Sequence, residues 1–163
     1  MTLIATGQIT KDTCYGHRKN LIAMSIGDER LRRLMPWRSL EKAGVNVSFG
    51  SDWLAGPLNP VYGLLIAGTR YNYTGTDEWG TDEKIQLDDA LRHYTIDCAK
   101  SLMLEDRIGS IETGKYADFA IYKVDLTKIT NWWFLLTHDL DIGALDDFVY
   151  LTSVGGRTVY EKE

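Results

Sequence analysis

One stretch limits how this chain folds more than any other. Val45, Val47 and Phe49 alternate with small or polar residues, the period of a β-strand, and Gly50 and Ser51 then end the run on Asp52. Upstream, residues 37–43 read as a helix that Gly44 closes as a C-cap residue. Downstream, Gly56-Pro57-Leu58-Asn59-Pro60 is a loop ending on an N-cap asparagine and a first-turn proline, which launch an apolar helix over 61–67. Helix before strand in this order predicts a parallel sheet in an α/β fold. Asp52 then lies at the carboxyl end of a strand, where such folds usually place their chemistry. Taken locally, it is also a good turn residue that bonds its own backbone.

The flanks extend the pattern. Residues 3–5 are apolar enough for a short strand, and Asp28 and Glu29 open a helix over 28–34. A polar, aromatic and glycine-containing stretch over 71–81 reads as a loop, of a length that often covers a site. Leu87, Leu91, Tyr94, Thr95 and Cys98 fall on one face of a helix expected to run from 87 to about 104. That register leaves His93 among the polar, solvent-facing positions. Residues 117–124 read as a strand buried on both faces. Residues 129–137, with Trp132, Trp133 and Phe134, form an aromatic packing segment whose helix or strand identity stays open. Two alternating runs, 148–154 and 157–160, flank Gly155-Gly156 and predict a β-hairpin.

Composition removes several functions. The 18 basic and 23 acidic residues give a net charge of −5 with no basic face, which argues against nucleic-acid binding. No apolar run is long enough to span a bilayer, so no membrane role is expected. Cys14 and Cys98 stand apart without C-x-x-C spacing and read as free thiols of a reducing, cytoplasmic compartment. Ser39-Leu40-Glu41-Lys42 satisfies S-x-x-K, but the companion motifs of serine acyl-enzymes are missing. His138, beside Asp139 and Asp141, is a weak metal cluster.

Several segments, in order, resemble the carboxyl-terminal part of metal-dependent amidohydrolases, specifically the branch called amidohydrolase family 3. Pro36-Trp37-Arg38-Ser39-Leu40, Ala43-Gly44-Val45, Phe49-Gly50-Ser51-Asp52-Trp53 and Pro57-Leu58-Asn59-Pro60 look like the last barrel strand with its flanks. Residues 87–99 look like the helix that follows. The run from Ile108 to Asp118 resembles the exit from the barrel to a β-sandwich, and Val154-Gly155-Gly156-Arg157-Thr158-Val159-Tyr160 resembles that sandwich's terminal hairpin. Leu54 and Ile9 stand where the branch often carries proline. The resemblance implies the last strands and helices of an incomplete TIM-type (β/α) barrel over 1–107, followed by strands of a small β-sandwich over 108–163. It also implies that Asp52 touches a divalent metal, with zinc expected, and shuttles a proton from the metal-activated water to the leaving nitrogen of a small-molecule amide. Trp53, Asn59 and residues 71–79 are the candidate pocket lining.

The family's metal centre also uses a His-x-His pair and further histidines. Here only His17, His93 and His138 occur, none in a matching motif, and a catalytic zinc needs about three protein ligands. The 163 residues also fall short of the roughly 250 of a closed barrel. The expectation is therefore a fragment of a carbon–nitrogen hydrolase that begins inside the barrel, binds no stoichiometric metal alone and is inactive in isolation. The alternative is a non-catalytic module that forms homo-oligomers or associates with the missing barrel portion through its exposed strand edges.

Overall fold

Two different periodicities give this chain two different sheets. The computed structural model describes residues 4–5, 25–51, 53, 58–70, 80–128 and 148–163. In the first sheet, strand β1 (Ile4–Ala5) runs parallel to strand β2 (Ser48–Phe49), with Ile4 opposite Ser48 and Ala5 opposite Phe49. The expected parallel pairing is present, although β2 is shorter than the 45–49 alternation predicts. Burial does not alternate along it: Val47, Ser48 and Phe49 are all buried. Helices pack on this strand, and a strand enclosed on both faces loses the in-and-out pattern.

Helices α1 (Asp28–Arg32) and α2 (Trp37–Lys42) precede β2. The α1 helix stops short of the predicted residue 34, and the carbonyls of Leu34 and Met35 instead accept hydrogen bonds from Arg70, at 2.7 and 3.1 Å. Arg70 is buried with its guanidinium 4.6 Å from the Trp37 ring centre. Burial lowers its pKa to about 10, with Glu83 pulling the other way, so the group stays cationic near neutral pH. Gly44 closes α2 at φ 73°, the left-handed conformation its placement predicts.

Helix α3 (Pro60–Thr69) starts as its sequence dictates, with Pro60 in the first turn and the Val61 amide donating to Asn59 Oδ1 at 2.9 Å. Val61, Tyr62, Leu64, Leu65, Ile66 and Ala67 are all buried, so this helix is apolar around most of its circumference and occupies the core. The single helix expected over 87–104 is two: α4 (Leu87–Tyr94) and α5 (Ile96–Ser101). They meet at Thr95, whose backbone takes φ −123°, ψ −97° while its hydroxyl donates to the Leu91 carbonyl at 2.8 Å. A threonine bonding back to the preceding turn competes with the helical ladder, and here the axis breaks.

The second sheet is antiparallel, with order β3 (Phe119–Tyr122), β4 (Val149–Val154), β5 (Arg157–Glu161). Gly155 and Gly156, at φ 58° and 77°, make the predicted two-residue hairpin turn, which needs positive φ at both central positions. Burial of β3 on both faces is not observed. Ile121 is 43% exposed, and its neighbour Ala120, which points to the opposite face, is exposed as well. A short 3₁₀ turn, Leu126–Lys128, brings buried Leu126 back to the first core, where Tyr122 and Phe148 also pack. Among the described residues no helix is long and apolar enough to cross a membrane. The segments 71–79 and 129–137, and with them Asp52, Cys14, His17 and His138, lie outside the described residues.

Candidate active-site strand

Three layers of contacts hold β2 in place before it reaches Asp52. The Phe49 side chain is the apolar pivot: its ring centre lies 5.2 Å from Trp37 of α2, 5.0 Å from His93 and 5.4 Å from Tyr94 of α4. The contacts with His93 and Tyr94 are edge-to-face, which suits the quadrupoles of the rings. On the polar side, Asn46 Nδ2 donates to the Asp97 carbonyl and to Ser101 Oγ, both at 2.9 Å, and the Ser48 and Ser101 hydroxyls lie 3.0 Å apart. The Cys98 thiol donates to the carbonyls of Phe49 and His93, at 3.3 and 2.9 Å. Burial pushes that thiol's pKa up, the Phe49 carbonyl contact opposes it, and the Asp97 charge adds to the rise. Helix α5 thus contacts Asn46 just before β2 and both residues of the strand, Ser48 and Phe49.

Beneath Phe49 lies a charged network that the sequence reading places wrongly. His93 is buried, not solvent-facing. Its Nε2 lies 2.8 Å from Glu41 Oε1 and its Nδ1 lies 3.0 Å from Asp97 Oδ2, so each ring nitrogen faces a carboxylate. A ring carrying both protons donates to both. Lys100 Nζ reaches Asp97 Oδ1 at 3.0 Å, and Arg92 approaches the same oxygen at 3.9 Å. The i,i+4 spacing of His93 and Asp97 was visible in the sequence, but the third member, Glu41, comes from α2 and only the fold brings it there.

At the other end of the strand, Ser51 is half-buried and Trp53 is 60% exposed, while Asp52 between them lies outside the described residues. Leu58, also exposed, and half-buried Asn59 lead into α3. The Oδ1 of Asn59 is engaged by the Val61 amide, so at least one of its polar atoms serves the helix cap. Ser39 does not engage Lys42. Its amide and hydroxyl donate to the Glu83 carboxylate at 2.8 and 2.5 Å, so the S-x-x-K spacing has a packing role.

A family model described as the amidohydrolase family matches residues 5–160. The chain belongs to this family. Among curated relatives, Protein LONG AFTER FAR-RED 3 of Arabidopsis thaliana is 30% identical over 140 residues, covering 85% of this amidohydrolase chain and 22% of the relative. N-substituted formamide deformylase of Arthrobacter pascens is 37% identical over 93 residues, covering 57% and 17%. A solved structure, an uncharacterized metal-dependent hydrolase from Pyrococcus horikoshii, shares the fold with a TM-score of 0.62 at 22% identity, over 79% of this chain and 25% of that one. The chain thus spans about a fifth of the length of these curated relatives.

Among the described residues no cluster of three or more His, Cys, Asp or Glu side chains is arranged to hold a metal ion. His93 is unsuited to ligation because both of its nitrogens are already engaged by carboxylates. A crevice of about 490 Å³ opens beside the network, lined among others by Glu41, Asn46, Arg92, His93, Asp97 and Lys100. It flanks residues 44–47, on the amino-terminal side of β2.

Proposed function

We propose that this chain is the carboxyl-terminal portion of a hydrolase acting on carbon–nitrogen bonds in small, non-peptide amides, with Asp52 as its proton-transferring carboxylate. The observation that carries this reading is strand β2, held by α2, α4 and α5 and followed in the sequence by Gly50-Ser51-Asp52, inside a family match over 5–160. The likeness to an N-substituted formamide deformylase favours the bond type. Residues 1–107 would form part of the barrel and 108–163 part of the sandwich, with Trp53 and Asn59 lining the substrate side and the chain working in the cytoplasm. A divalent metal such as zinc would take Asp52 as one ligand, and its other ligands would have to come from beyond the described residues, which do not fit a metal by themselves. What Asp52 itself would do is accept a proton from the attacking water and return it to the leaving nitrogen. The DNA upstream of Met1 tests the reading. An in-frame His-x-His with further histidines is expected, whereas a stop codon followed by a promoter would overturn it.

A second reading, a non-catalytic oligomerising module, is favoured by the apolar side chains left in solvent on the second sheet. Val154 is 53% and Val159 56% exposed, and all of β5 is exposed at a sheet edge. Light scattering across a wide concentration range should then give a dimer or larger species. A monomer throughout would sink this second reading.

A further inference from the structure

We draw no further inference here: the strongest candidate, the crevice of about 490 Å³ between α2 and α4–α5 floored by His93 and Asp97, has its buried charged groups paired with one another through Glu41, Lys100 and Arg92, and nothing in the structure shows what ligand would enter it.

Discussion

Replacing Gly63 by alanine tests how α3 and α4 lock the floor of the site. In an ordinary helix interior this change stabilises by about 1 kcal/mol, since alanine loses less backbone entropy. Here the added Cβ would overlap the Tyr94 hydroxyl and lie 2.7 Å from Cζ and 3.1 Å from Cε2 of the same ring. The ring cannot swing away freely, because it sits edge-to-face on Phe49 at 5.4 Å, and Phe49 is itself wedged against Trp37 and His93. Overpacking of this kind costs about 1–3 kcal/mol, and a displaced aromatic pair forfeits about 0.5–1.5 kcal/mol more. Set against the propensity gain of about 1 kcal/mol, the balance is a net loss of about 2 kcal/mol. Urea unfolding followed by tryptophan fluorescence would read it as a lower midpoint at unchanged slope. In a Tyr94→Ala background, where the obstructing ring is gone, the same substitution should cost little or stabilise. A raised midpoint for Gly63→Ala alone, or an equal loss in both backgrounds, refutes the packing argument.

Other perturbations follow from the same contacts. Asp97→Ala strips His93 and Lys100 of a common partner in a buried network and should cost about 3–5 kcal/mol in urea unfolding, more than Glu41→Ala, since the Asp97 side chain is 7% exposed and that of Glu41 21%. Equal losses would contradict the ranking. Asn59→Ala should lose about 1 kcal/mol through the missing cap, and Asn59→Ser should keep most of it. Burial pushes the Tyr94 phenol up from 10.0 to about 12, with Cys98 adding to the rise. A raised folded-state pKa favours folding fully below the unfolded value and is lost as pH climbs through the folded one. Stability should therefore fall between about pH 10 and pH 12, and Tyr94→Phe should flatten that fall; an unchanged profile in the variant would refute the assignment.

Local rules carried the reading where the chain obeys them locally. Asn59-Pro60 before an apolar run announced α3 because capping and first-turn chemistry act within four residues. Gly155-Gly156 announced the hairpin because only the turn itself demands positive φ twice. That β2 pairs in parallel was legible from element order, while its neighbour at residues 4–5 was not. The failures are tertiary. Thr95 sits at helical spacing on an apolar face, yet its hydroxyl bonds back and the helix breaks there. His93 looked exposed because its helix neighbours are polar, and it is buried because Glu41 and Asp97 supply carboxylates to both ring nitrogens. Strand β3 has the composition of a two-sided core strand, yet Ala120 and Ile121, on opposite faces, are both exposed. As for the candidate site, the sequence announced the strand that precedes Asp52, but the set of side chains holding that strand, from Trp37 to Ser101, emerged only from the fold.

The most direct test of the central proposal is the chemistry of the purified 163-residue chain itself. Its metal content would be measured after equilibration with zinc, alongside hydrolysis of N-substituted formamides and other small amides. If Asp52 is one corner of a site whose remaining corners lie elsewhere, the chain retains no equivalent of tightly bound metal and releases no product above the uncatalysed rate. Turnover accompanied by one equivalent of bound metal, abolished by Asp52→Asn, would contradict it by showing that this chain holds a complete site.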